Sequence, residues 1–311
     1  MLRFVVRRIL QIIPTIAVVA LLIFVIFSVV PGTFASSLFS DGKRAADPQL
    51  MARLNEQFGL DKPVHERFAA YISDLARLDL GTSFRTRRPV LELINDRMWA
   101  SLQLAIAAMV FAIVIAVPLG FLAALRPGSV LDSLTMVGAV SGLSLPQFWL
   151  GLLLMYVFAL KLNLLPSFGY GDGSLRHLIL PAVTLGVTPL ALLARTTRAG
   201  VLDVLNADFV RTAHSKGLSE AQVIRRHVAR NALVLIITTV GLLFGSLIGQ
   251  AVVIEKLFAW PGIGSLLVDS VSMRDIPVVQ GTILVIVLWF LVINTAVDVV
   301  YAFIDPRIKQ G

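Results

Sequence analysis

The chain has 311 residues, 57% of them hydrophobic and only 15% charged, with no cysteine. A water-soluble domain of ordinary composition carries about a quarter charged residues, so this balance points to a polytopic membrane protein. The missing cysteine excludes a disulfide framework, a thiolate nucleophile and a cysteine-based metal site. A net charge of +8 would suit nucleic acid, but the cations lie mostly in loops beside apolar spans, where membrane orientation accounts for them.

Six apolar segments reach the ~17–25 residues that cross a bilayer: Ile9–Val30, Ala100–Leu125, Leu134–Leu160, Leu178–Ala194, Ala232–Ile254 and Val278–Ile304. The first follows a basic start, as a signal peptide would. Its apolar run exceeds a signal peptide's ~7–15 residues and no clear small-x-small cleavage site follows it, so an uncleaved anchor is expected. In the long loop that follows, Met51, Leu54 and Phe58, then Phe68, Tyr71, Ile72 and Leu75, predict two short amphipathic helices parted by a Gly59–Pro63 break. Residues 1–99 thus form an anchor with an extended loop, and residues 100–311 a membrane core.

The third segment holds Ser141, Ser144, Pro146 and Gln147, and the fourth holds Pro181 and Pro189, which predict a kinked helix packed inside a bundle. His177 beside Arg176 sits at a membrane edge and reads as an interfacial or capping residue. Between the fourth and fifth segments, residues 195–231 interrupt the apolar pattern with seven Lys/Arg against three Asp/Glu. Leu202, Leu205, Phe209 and Ala213 recur at helical spacing, giving an apolar stripe on a first helix. Gly217 offers a left-handed stop. Ser219 with Gln222 reads as a capping box and Leu218 with Val223 as its hydrophobic staple. A second helix then runs through Ile224, His227 and Arg230 into the fifth span.

In the fifth span Gly241, Gly245 and Gly249 recur every four residues, a small-residue face that permits close approach of another helix, in this chain or a second subunit. Thr238, Thr239 and Gln250 share this span. With Ser141, Ser144 and Gln147 they line a polar path or bond neighbouring helices; composition leaves both open. After it, Trp260-Pro261-Gly262 predicts a turn, Ser265–Met273 a short helix, and Pro277 the end of the excursion. Asn294 and Asp298 lie on one face of the last span, where a carboxylate is either functional or bonded near the membrane edge.

Charge counting sets an orientation. With both termini cytoplasmic, the inner side receives 13 Lys/Arg, and the two short outer loops hold only Lys161, Arg176, Lys256 and Arg274. The basic segment therefore faces the cytoplasm. Catalytic motifs are missing: the four histidines show no metal-binding i, i+4 pair, and there is no nucleophile elbow, phosphate loop or dinucleotide turn. No internal repeat is visible. A helix-turn-helix reading of residues 202–230 leaves no room for a compact DNA-binding domain between two spans.

From Asp208 to Asn231 the sequence DFVRTAHSKGLSEAQVIRRHVARN strongly resembles the cytoplasmic coupling motif of ABC importer permeases. The branch it resembles is the peptide/nickel transport family, and within it the first permease of the pair. The landmarks are Asp208, Arg211, Thr212, Ala213, Lys216, Gly217, Leu218, Ile224, His227, Arg230 and Asn231. Further matches are Gly59-Leu60-Asp61, Asp79-Leu80-Gly81, Arg88-Pro89-Val90, Leu145-Pro146, Leu180-Pro181-Ala182, Phe258 to Gly264, Arg274-Asp275 and Asp305-Pro306-Arg307. The chain departs from the general motif in having Arg211-Thr212-Ala213 where other importers have Glu-Ala-Ala, and Val234-Leu235 where the branch commonly has proline.

The resemblance implies an all-α fold of type I importer kind, with six spans and a coupling helix pair. It implies a permease subunit in the inner membrane that forms half of a translocation pathway for dipeptides or oligopeptides, with glutathione or nickel as alternatives. Expected partners are a second homologous permease, two ATPase subunits that carry out the hydrolysis, a solute-binding protein and membrane lipid. No cofactor, metal or nucleic acid is expected. An ATP-independent channel or secondary transporter is the rival class, favoured by dense intramembrane charge or inverted repeats.

Overall fold

The computed structural model describes residues 2–29 and 62–304, so the amphipathic helix expected over Met51–Phe58 lies outside the described residues. α1 (Leu2–Val29) contains the first apolar segment. α2 (Val64–Ala76) is the second amphipathic helix of the long loop. α3 (Val90–Leu125), α4 (Val130–Ser144) and α5 (Gln147–Leu154) follow, the last running on as a π-helical turn to Lys161. Next come α6 (Leu175–Leu205), α7 (Asp208–Ser215) and α8 (Glu220–Val223). α8 passes through a π-helical turn at Ile224–Val228 into α9 (Ala229–Leu257), and α10 (Ile263–Ser272) and α11 (Ile276–Ile304) complete the order. Among the described residues the only bridge of β type is Thr82 with Pro89.

Among the described residues five helical stretches are long and apolar enough to cross a membrane, and a bent helix pair makes a sixth if it is one span. The third span, expected to be continuous over Leu134–Leu160, is instead α4 and α5, bent by 105° at Leu145–Pro146. The cause is local: Pro146 brings no amide hydrogen, and Leu145 before it takes an extended conformation (φ −81°, ψ 130°). α6, by contrast, carries Pro181 and Pro189 within one 31-residue helix. It also runs beyond the expected end at Ala194, so Arg195–Leu205 continue the membrane helix.

α3 and α6 share the most extensive contact. Alanines along α3 and glycines on both helices bring the backbones together. A Cβ at Gly186 would lie 2.7 Å from the Ala108 carbonyl oxygen, and one at Gly120 2.5 Å from that of Ala194. Close approach of this kind is how membrane helices associate without a hydrophobic drive between them. The glycine face of the fifth span finds its partner within the chain: a Cβ at Gly241 would meet Val297 at 2.4 Å and one at Gly245 would meet Asn294 at 2.9 Å, both on α11, whereas Gly249 faces open space. α1 lies at the edge of the core. Its buried Ala20 and Ile23 pack with Leu284 of α11, and Phe24 contacts Phe68 and Tyr71 of α2 at ring-centroid distances of 5.1 and 5.8 Å.

Candidate functional site

The basic segment is hinged where the sequence places the hinge, but its first helix starts later than expected. α6 ends at Leu205 and Ala207 is extended (ψ 146°) before α7 begins. The stripe Leu202, Leu205, Phe209, Ala213 is therefore divided between two helices. Leu202 and Leu205 belong to the end of the membrane helix, Phe209 is 44% exposed, and Ala213 turns inward beside Val210. α7 stops in a Schellman arrangement: the Gly217 amide donates to the His214 carbonyl (2.9 Å) and the Leu218 amide to that of Ala213 (3.3 Å). Gly217 has φ +77°, a conformation that costs a residue with a Cβ ~1–2 kcal/mol. The next helix opens at once through the Ser219/Gln222 capping box.

The pair is not a loose loop. Val210, Ala213, Val223 and Val228 are buried against Ala116, Ala124, Leu193, Val201 and Ile236 of α3, α6 and α9, with Leu218 packed at the margin. Phe209 apart, what remains outward is polar. Asp208, Arg211, Thr212, Lys216, Gly217, Arg230 and Asn231 are exposed; Leu218, Ile224 and His227 are half-buried. Asn231 donates to the His227 carbonyl (2.6 Å) and Thr212 to that of Asp208 (2.9 Å), so both side chains also tie their own helices. The Arg211–Asp208 pair, 4.0 Å apart and almost fully exposed, contributes little stability.

At the same end an ion pair braces the bundle. Arg198 of α6 grips Asp132 of α4 through two nitrogens, one of them Nη2 to Oδ2 at 2.7 Å, and the Gly128 amide donates to that same oxygen (2.9 Å). Sequence reading missed this pair because its members are 66 residues apart.

Within the membrane the expected polar residues separate into distinct groups. Gln147 stands at the α4–α5 break; its amide nitrogen donates to Thr188 Oγ1 of α6 (2.9 Å) and to Gln250 Oε1 of α9 (3.4 Å). Gln250 in turn donates to Ser246 Oγ (3.0 Å). Ser144 and Thr238 instead return their hydroxyls to their own helices, at Val140 and Val234, and Ser141 is exposed on α4. Asn294 faces α9 at Gly245, with its Oδ1 buried and unpartnered. Asp298 lies on α11, its side chain outside the described residues.

The opposite end is closed by a hairpin that sequence reading located without its organiser. Glu255, only 1% exposed, accepts the Ser101 hydroxyl (2.6 Å) and the Ser265 amide (2.9 Å), while Ser101 Oγ accepts the Ile263 amide (2.7 Å). The Ile263 and Ser265 amides at the start of α10 are thus capped from other helices, since Gly262 has no side chain to do so. The carboxyl lies where a Cβ of residue 262 would stand, at 2.2 Å. Trp260, fully buried, donates to the Ala100 carbonyl (2.8 Å), and Asp275 accepts the Ser83 hydroxyl (2.5 Å) and Phe84 amide (3.1 Å). Among the described residues no group of three or more His, Cys, Asp or Glu is arranged to hold a metal ion.

Comparison with known proteins agrees with this architecture. The family model described as binding-protein-dependent transport system inner membrane component matches residues 116–310, and its N-terminal companion matches residues 1–107. The glutathione transport system permease protein GsiC of Escherichia coli K12 is 44% identical over 309 residues, covering 99% of each chain. That of Salmonella typhimurium LT2 is 43% identical over the same length and coverage. Among solved structures, an inward-facing MetNI methionine ABC transporter aligns with a TM-score of 0.57 at 17% identity, over 68% of this chain and 96% of that one. An amino acid ABC transporter with histidines aligns at 0.52 and 14% identity, over 70% and 94%; these likenesses establish the fold. The chain belongs to the binding-protein-dependent transport system inner membrane components and is an ABC importer permease subunit of the peptide/nickel family.

Proposed function

We propose that this chain is one of two membrane subunits of an ATP-driven importer of small peptides, with glutathione the first substrate to test. The observation that carries the reading is the hinged helix pair: its apolar side is anchored in the bundle by Val210, Ala213, Val223 and Val228, and its basic side is presented outward. Such an element transmits force only if something grips the exposed face. Phe209, Arg211, Lys216 and Arg230 supply an apolar anchor and charge complementarity for a groove on a cytoplasmic ATPase subunit. The Lys/Arg excess on this side supports a cytoplasmic position for it and for both termini. The hairpin built on Glu255 and the loop clamped by Asp275 then face outward, to receive a solute-binding protein. The glutathione assignment comes from the relatives at 44% identity over nearly the whole chain; glutathione is itself a small peptide.

The test is uptake into proteoliposomes. The complete importer with its ATPases and binding protein is expected to accumulate labelled glutathione only when ATP is supplied, and the purified chain alone is expected to transport nothing. Accumulation by the chain alone would establish the rival channel or secondary-transporter reading.

A further inference from the structure

The Gln147 group is distinguished by hydrogen bonds that join side chains of different helices, where Ser144, Thr238 and Thr239 bond back to their own. Thr184, Thr197 and Thr282 are fully buried, as hydroxyls that serve helix packing are. Gln147, Thr188, Ser246 and Gln250 are each only half-buried by this chain. They come from three helices and meet at the 105° break, with Thr188 near the midpoint of α6. Half-exposed polar groups at such depth are costly against lipid, so this face borders a water-filled path or a partner subunit rather than hydrocarbon. Gly249, which directly precedes Gln250 in α9, is exposed and a Cβ there would have nothing within 4 Å, which leaves a notch in α9 beside Gln250 in the chain.

We propose that Gln147, Thr188, Ser246 and Gln250, with the notch at Gly249, form this chain's share of a cargo-binding site that reads the peptide groups of the substrate. The proposal rests on the peptide-import reading above and names the residues that would execute it. A glutamine amide both donates and accepts, as a peptide group does, so two of them engage a backbone N–H and C=O whatever side chains the cargo carries. Their neutrality suits cargo of varied charge. The group holds no carboxylate or imidazole, the donors that a bare divalent cation favours.

The complete importer is assayed in proteoliposomes for initial uptake of labelled glutathione and of the neutral dipeptide alanyl-alanine, beside ATP hydrolysis stimulated by the binding protein. For Gln147→Leu and Gln250→Leu, uptake of both is expected to fall about tenfold, the equivalent of one or two hydrogen bonds, with hydrolysis within about twofold of wild type. Gln250→Glu places a negative charge in the notch, so uptake of the anionic glutathione should fall further than that of the dipeptide. The site is overturned by uptake within about twofold of wild type in both leucine variants, or by uptake and hydrolysis falling in equal proportion, which marks a damaged fold. An unchanged cargo preference in Gln250→Glu overturns it as well. If the wild-type importer takes up neither peptide, the underlying peptide reading fails first, and the site with it.

Discussion

Glu255 and Ser101, 154 residues apart, share a 2.6 Å hydrogen bond in the interior, and between them they cap the first turn of α10. The pair decides where the hairpin sits, because the Ser101 hydroxyl gives its proton to Glu255 and accepts the Ile263 amide with its oxygen. Removing the carboxyl orphans both the hydroxyl and the Ser265 amide. Glu255→Ala should therefore destabilise the subunit by about 2–4 kcal/mol, and Glu255→Gln, which keeps an acceptor, by less. Thermal unfolding of the purified complex in detergent would show this. A double-mutant cycle with Ser101→Ala should give a coupling of about 1–2 kcal/mol, and additive losses would deny that the two act together.

Gly217 separates strain from clash. Its φ is +77° and a Cβ there meets nothing within 4 Å, so a larger residue fits in space but not in backbone conformation. Gly217→Leu should cost only ~1–2 kcal/mol in unfolding yet lower the peptide carried per ATP hydrolysed. Gly217→Asn, which tolerates the left-handed region, should keep most of the coupling. Transport and hydrolysis rates in the same vesicles decide the point, and an unchanged ratio in the leucine variant counts against a hinge role.

The Asp132–Arg198 clamp should be costly to break from either side. Its two-nitrogen geometry and the extra Gly128 amide make it stronger than an exposed pair. Asp132→Ala or Arg198→Ala should each destabilise by about 2–3 kcal/mol, because the remaining partner is left without its counter-charge. The double alanine variant should lose less than the sum of the two, measured as the shift in unfolding temperature.

Along α9, three glycines at equal spacing should respond unequally. A Cβ at Gly241 would press on Val297 at 2.4 Å, whereas Gly249 faces open space. Gly241→Val should lower the yield of folded protein by forcing α9 and α11 apart, an overpacking cost of about 1–3 kcal/mol. Gly249→Val should leave stability unchanged and reduce uptake by filling the notch. Equal stability in both variants would contradict the packing assigned to α11.

The features legible in the sequence were those built from near neighbours. Gly217, Ser219 and Gln222 act across three to five residues, so the hinge and the following helix could be placed from residue type alone. The spans were legible through their length. The bend at Pro146 was signalled by the proline, yet the unbroken apolar run concealed it. The start of the first coupling helix was obscured because helical periodicity carried across Asn206–Ala207, where the backbone breaks. Ser101–Glu255, Asp132–Arg198 and Gln147–Gln250 were illegible, since each joins residues 66 to 154 positions apart and no local pattern marks them. Gln147 and Gln250 were singled out individually; only the fold brings them together with Thr188 and Ser246.

The central claim, that the outward face of the hinged pair is gripped by an ATPase subunit, is open to direct chemistry because this chain has no cysteine of its own. Cysteines introduced at the exposed Phe209 or Arg211 should cross-link to the ATPase subunit in assembled importer under a short thiol–amine reagent, with a yield that changes when ATP binds. A cysteine at exposed Arg274, at the hairpin end, should not. Cross-links to the ATPase from Arg274 and none from Phe209 or Arg211 would contradict the claim.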